Sequence, residues 1–142
     1  MVKIPLEELA QTIYPVGFYN KKAKSILDVA HFLLDHCNGE VPNTLEELVK
    51  IKGIGPKTAK IVLESAFGEN VIAVDTHVHR ILNLLEFVDT STPEETDKVL
   101  KEELEGLEVK GLNQLLVSFG QVICKPQKPL CEMCKIKEFC SK

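Results

Sequence analysis

Long apolar runs are missing from this chain. No stretch of its 142 residues approaches the roughly 20 consecutive apolar residues that a membrane-spanning helix needs. The opening MVKIPLEELA carries acids where a secretory signal would need an apolar core. Together these absences predict a protein of the cytoplasm, associated with the nucleoid, with no membrane partner. Strand-like alternation is missing too: the long segments repeat at helical spacing, which predicts an all-α fold. No low-complexity tract and no repeat of constant period interrupts that pattern. An excess of positive charge is also lacking. The net charge of −4 argues at first against a nucleic-acid binder, because phosphate binding is driven by lysine and arginine releasing counterions.

What is present qualifies that last exclusion. With 44% hydrophobic and 27% charged residues the composition is that of an ordinary globular protein, one cored domain or two small lobes. Its charge is distributed unevenly. The acids Glu86, Asp89, Glu94, Glu95, Asp97, Glu102, Glu103, Glu105 and Glu108 meet only Lys98 and Lys101 within their stretch. Lys50, Lys52, Lys57 and Lys60 fall in a segment with no acid, and Lys125, Lys128, Lys135, Lys137 and Lys142 outnumber the two glutamates beyond Cys124. An acidic back and two basic patches are expected, so the sum of charge does not decide the partner.

Helix boundaries are punctuated by capping residues. Pro5 opens a short helix carrying Leu6, Leu9 and Ile13, and Asn20 is expected to cap a second that runs toward Gly39. Thr44 and Glu47 form a capping box for a helix over 44 to 50. Pro56 suits the first turn of a helix ending at Gly68, and Asp75 can cap one running through Leu85. Ser91 or Thr92 precedes a helix with Pro93 at its first position, and a last helix is expected from about Lys110 to Ile123.

Beyond that helix cysteines take over. Cys124, Cys131, Cys134 and Cys140 are separated by six, two and five residues in a segment too short and polar to order itself by apolar burial. Disulfides are disfavoured in a cytosolic chain. A Cys₄ zinc site and an iron–sulfur cluster are both compatible with four thiols, and the thiols alone do not choose between them. Cys37 lies apart and reads as a small hydrophobe.

The segment KGIGPKTAK, residues 52 to 60, joins two helices through Lys52, Gly53, Ile54 and Gly55. Glycines there permit a tight turn and close approach of the backbone to another molecule, and the free amides of the following first turn, around Thr58, make an anion site. A plain helical corner would use the same residues. Lys57 is the second residue of the following helix, where the macrodipole disfavours an ammonium and partial burial would favour the neutral, nucleophilic amine. A lone lysine is otherwise solvated charge. Asp75 in IAVDTHVHR is either a helix cap or a carboxylate at the edge of a pocket. His77 and His79, two apart, make a poor metal pair.

Taken together, GFYNKKAKSI (17 to 26), NGEVPNTLEELVKIKGIGPKTA (38 to 59), VDTHVHR (74 to 80) and the C-terminal cysteines resemble the helix-hairpin-helix DNA glycosylases, and within them the endonuclease III family. The resemblance covers almost the whole chain. It implies a helical domain over 1–109 with the helix-hairpin-helix motif at about 44–68, and a C-terminal helix and cluster loop over 110–142. It implies a [4Fe-4S] cluster on Cys124, Cys131, Cys134 and Cys140, with zinc as the alternative. Lys57 falls on the family's catalytic lysine and Asp75 on its catalytic aspartate. Lys52, Gly53, Ile54, Gly55, Thr58, Lys60, His77, Lys125 and Lys128 are the implied DNA contacts.

The implied activity is removal of oxidised pyrimidines from duplex DNA and cleavage of abasic sites by β-elimination through a lysine Schiff base. Relatives that only remove a base lack the lysine, so Lys57 favours the lyase. Lys52 and Pro56 stand where proline and arginine are common, and both suit the hairpin. Family members carry further helices ahead of GFYN, where this chain has about 16 residues. An N-terminally truncated fold is therefore expected, with apolar surface covered by a missing N-terminal half or by self-association. The alternatives are a non-catalytic or inactive DNA-binding subunit and a mismatch-specific thymine or uracil glycosylase.

Overall fold

Where the sequence sets a proline or a hydroxyl ahead of an apolar period, a helix begins. The computed structural model describes residues 2–142, and among these the chain is all-helical, with no strand. Helix α1 (Leu6–Thr12) starts behind Pro5, and α2 (Tyr19–His36) follows. Its start differs from expectation: the capping position is Phe18, in a left-handed conformation with φ 57°, and Asn20 lies inside the first turn. At its other end the Gly39 amide donates to the Leu33 carbonyl at 2.8 Å with φ +82°, a left-handed close that glycine permits without strain.

Thr44 caps the next helix as expected, but Glu47 answers through the Thr44 hydroxyl and not its amide. The Glu47 amide donates to Thr44 Oγ1 at 3.3 Å and the Thr44 hydroxyl donates to Glu47 Oε2 at 3.0 Å. Helix α3 spans only Leu45–Leu48, however, and the chain leaves it through a tighter turn in which the Ile51 amide donates to the Leu48 carbonyl. Helices α4 (Pro56–Phe67), α5 (Thr76–Leu84), α6 (Pro93–Glu103) and α7 (Leu112–Val122) complete the set, followed by two 3-10 turns, Cys131–Met133 and Lys137–Phe139. Thr92, rather than Ser91, caps α6, its Oγ1 accepting the Glu95 amide at 3.2 Å.

The chain falls into two units, one ending at Ala59 and the other Lys60–Lys142. In the first, α1 lies on α2 and buries Leu9, Ala10 and Ala23, with Ile13, Tyr19, Ile26 and Leu27 packed around them. Leu48, Ile51 and Ala59 are buried on the hairpin side.

The second unit is built on α5, against which α6 and α7 pack. Val78 and Ile81 are fully buried among Ile72, Val74, Leu100, Val109 and Leu116, each such side chain contributing roughly 1.5–3 kcal/mol by leaving water. The apolar stretch ahead of α5 is drawn into this core, and its backbone finds partners in side chains: Asn113 Nδ2 donates to the Ala73 carbonyl at 2.6 Å. Beside it, Asn70 Oδ1 accepts the Val109 amide at 2.8 Å.

A polar knot ties α5 to the start of α6. Asn83 Oδ1 accepts the Thr90 amide at 2.9 Å, which fixes the amide's orientation, so Nδ2 faces Thr90 Oγ1 at 3.1 Å and His79 Nδ1 at 3.2 Å. Asn83 Nδ2 also donates to the His79 carbonyl at 2.8 Å, and His79 Nδ1 and the Thr96 hydroxyl, 2.7 Å apart, share one hydrogen bond. Thr96 is fully buried, and its oxygen lies 2.5 Å from that of Thr90.

Candidate active site and cysteine cavity

In the hairpin the two glycines serve different needs. Gly53 has φ +91°, where a side chain would strain the backbone, while a Cβ at Gly55 would meet nothing within 4 Å and Gly55 carries no such φ. The turn is closed by the Ile54 amide on the Ile51 carbonyl at 2.9 Å, and α4 is entered through the Ala59 amide on the Gly55 carbonyl at 2.9 Å. Lys52, Gly53, Gly55, Lys57 and Thr58 are all exposed, and Ile54 is half-buried. Lys57 is the second residue of α4, as expected, but stands exposed instead of partly buried.

Lys60 is placed differently. Its Nζ meets Asp97 Oδ1 at 2.5 Å in a part-buried ion pair, with 17% of the lysine side chain exposed, so this cation ties α4 to α6. The acid it meets is 37 residues away.

Asp75 caps α5. Its Oδ1 accepts the amides of His77 and Val78, each at 2.9 Å. The His77 side chain does not stand open. It packs on α7 at Gly120, where a Cβ would come within 2.6 Å of His77 Nδ1, and Arg80 Nη2 lies 3.3 Å from the same nitrogen. Arg80 Nη2 also donates to the Cys124 carbonyl at 2.6 Å.

Cys124, Cys131, Cys134 and Cys140 are half-buried thiols that line one cavity with Ile81, Leu84, Leu85, Phe119 and Ile123. Among the described residues, no three His, Cys, Asp or Glu side chains stand close enough to hold a single metal ion. Four thiols lining one apolar cavity, with no imidazole or carboxylate in its lining, are a soft donor set of the kind that holds zinc or an iron–sulfur cluster. Lys137 lies at the rim, and its hydrogen bond with Glu132, 2.9 Å long, holds the ammonium above the usual lysine range. Lys125 and Lys128 are exposed on the intervening loop. Its end is tied back by the Leu130 amide on the Ile123 carbonyl at 2.9 Å.

Arg80, Gly120 and Phe18 had no local signal in the sequence. Arg80 finds its carbonyl 44 residues away, and Gly120 looks like any helical glycine until the His77 ring is set against it. Phe18 is a large aromatic side chain 79% exposed, where an apolar residue just ahead of a helix would be expected to pack.

Known proteins give this geometry its context. Residues 1–106 match the family described as HhH-GPD superfamily base excision DNA repair protein. Endonuclease III of Thermotoga maritima is 46% identical over 140 residues, covering 99% of this chain and 66% of that protein. The solved structure of a trapped endonuclease III–DNA covalent intermediate, an estranged-adenine complex, superposes with a TM-score of 0.86 at 38% identity, covering 99% of this chain and 66% of its own. A thermostable thymine-DNA glycosylase superposes with a TM-score of 0.77 at 28% identity over the same shares of each chain. This chain thus spans just under two thirds of the length of these proteins. The match over residues 1–106, with the glycine hairpin, Lys57 and Asp75 inside it, makes the chain a member of the HhH-GPD superfamily of base excision DNA repair proteins.

Proposed function

We propose that this chain is a bifunctional DNA glycosylase and abasic-site lyase of the endonuclease III kind, acting on oxidised pyrimidines in duplex DNA. The observation that carries the reading is Lys57 at the second position of α4, directly behind an exposed glycine hairpin, in a chain that also keeps Asp75. The hairpin amides around Gly53, Ile54, Gly55 and Thr58, with Lys52 beside them, bind backbone phosphate without reading a base. Lys125 and Lys128 add phosphate contacts from the cysteine loop. Lys60 and the His77 ring are better explained as ties within the protein, given Asp97 and Gly120. Phe18 supplies an exposed ring of the sort that inserts between bases when a nucleotide leaves the stack.

The chemistry then follows from two side chains. The Lys57 amine, once it has given up its proton, forms a bond from Nζ to C1′ of an extruded nucleotide as the glycosidic bond breaks and the base departs with a proton. Opening of the sugar ring leaves a protonated imine. Loss of a C2′ proton expels the 3′ phosphate, which cuts the strand. Asp75 helps to take the lysine proton and stabilises positive charge on the sugar.

Cys124, Cys131, Cys134 and Cys140 would hold a [4Fe-4S] cluster in this apolar cavity, the likeness to endonuclease III favouring it over zinc, which four thiols would also suit. When bound, such a group fastens the 124–140 loop. The functional division we infer is a helical part over 1–109 carrying hairpin and aspartate, and a part over 110–142 carrying the cysteines. No helix among the described residues is long and apolar enough to cross a membrane, and we place the protein with DNA in the cytoplasm.

Borohydride reduction on duplex DNA with a single abasic site tests the reading. A covalent adduct is expected with the wild-type chain and none with Lys57→Ala. No adduct from intact, metal-loaded protein would overturn the lyase assignment. The likeness to a thymine-DNA glycosylase supports a second reading, a mismatch enzyme, which release of thymine from a G·T duplex with no release of oxidised pyrimidines would favour.

A further inference from the structure

We infer that Arg80 is a positioning residue that couples the cysteine loop to the turn holding Asp75, an inference that rests on the function proposed above. The observations all lie within the unit Lys60–Lys142. Arg80 Nη2 donates to the carbonyl of Cys124, the first of the four cavity cysteines, at 2.6 Å. It also lies 3.3 Å from His77 Nδ1, and since a guanidinium only donates, that nitrogen accepts. The backbone amide of the same His77 donates to Asp75 Oδ1. A continuous path therefore runs from the capping carboxylate through His77 and Arg80 to the peptide of Cys124.

Two features show that this arrangement is not just space filled by a long side chain. Arg80 Nε is buried and has no hydrogen-bond partner among the described residues, a cost that an unbranched apolar side chain at 80 would avoid. The facing helix is cut back to admit the pair: a Cβ on buried Gly120 would come 3.1 Å from Arg80 Nη2 and 2.6 Å from His77 Nδ1. A guanidinium held with one donor unpaired, in a notch cut for it, positions what it touches. What it touches is the backbone of a metal-ligand candidate on one side and the neighbour of Asp75 on the other. Partners of this kind behind a metal site typically alter metal retention or activity by about 10–100-fold when removed.

Arg80→Gln, Arg80→Lys and Gly120→Ala, each prepared with its bound metal, test the coupling by two independent readouts. One is the rate of metal release to a chelator, followed by absorbance whether the metal is iron or zinc. The other is the rate constant of borohydride trapping at saturating abasic DNA, compared with the dissociation constant for the same duplex. Arg80→Gln is expected to release metal about tenfold faster or more and to slow trapping by a similar factor, with DNA affinity unchanged. Arg80→Lys, which keeps a donor, is expected to recover part of both. Gly120→Ala is expected to shift both in the same direction without removing either partner. Metal release and trapping that stay at wild-type rates in Arg80→Gln would overturn the proposal. So would losses in one readout alone, or losses matched by an equal fall in DNA affinity. If the wild type forms no adduct, the function proposed above fails, and metal release from Arg80→Gln alone decides whether Arg80 holds the loop.

Discussion

Asp75 caps a helix and, in the proposed function, also serves the chemistry, and one substitution can separate the two. Its Oδ1 caps α5 by accepting two amides, and asparagine caps nearly as well as aspartate. Asp75→Asn is therefore expected to melt within a few degrees of the wild type while trapping on abasic DNA slows by about 10²–10⁴-fold, the usual range for a lost general base. Asp75→Ala should lose the same chemistry and about 1 kcal/mol of stability besides, measured by thermal or urea unfolding. The aspartate and the cysteines were legible in the sequence because their signals are local: an acid directly ahead of a helix, and thiols crowded into one short segment. Thr96 was not legible. Its hydroxyl matters because the His79 ring, 17 residues away, sets Nδ1 2.7 Å from it in a part-buried place, and nothing in the sequence near Thr96 reports that. Thr96→Val is expected to cost about 1–3 kcal/mol by orphaning His79 and Thr90, read as a lowered melting temperature. Lys60 was misleading for the same reason, since the basic run around it gives no hint of Asp97 across the fold.

Among the elements, caps and stops set the boundaries, and these were mostly readable. Pro56, Thr44 with Glu47, Thr92 and Asp75 all stand where their chemistry put them. The start of α2 was not readable, because the helix opens from a left-handed phenylalanine with no side-chain cap, so the better-looking Asn20 drew the boundary inward. The hairpin offers a sharper test of what its glycines are for. Gly53→Ala places a Cβ at φ +91°, which is expected to cost about 1–2 kcal/mol in a thermal melt and to weaken duplex binding as the turn distorts. Gly55→Ala puts a methyl into open space on a backbone that accepts it, so stability should be unchanged. If the hairpin grips phosphate, that methyl stands between amide and oxygen, and duplex binding should still weaken. Binding by Gly55→Ala as tight as the wild type's would leave the hairpin a mere corner between helices.

For the molecule as a whole, the issue is how a chain of net charge −4 would hold the DNA proposed as its substrate. The acids between Glu86 and Glu108 are concentrated on α6 and its flanks, and one of the cations, Lys60, is already neutralised by Asp97. Of the cations proposed to contact DNA, Lys52 on the hairpin and Lys125 and Lys128 on the cysteine loop are all exposed. Binding that relies on these three cations should show a shallow salt dependence, because each neutralised phosphate contributes about 0.9 to the slope of log K against log salt. Replacing Lys125 and Lys128 together by alanine is expected to lower that slope by about 2, and Lys52→Ala by about 1, with no dependence on base sequence. Lys60→Ala should leave the slope unchanged and instead lower the melting temperature, because it strands Asp97 in a part-buried place. Fluorescence anisotropy on one abasic duplex across a range of salt measures all of these. A steep slope that these lysines do not account for would mean that the backbone amides and these three cations are not the main grip on DNA.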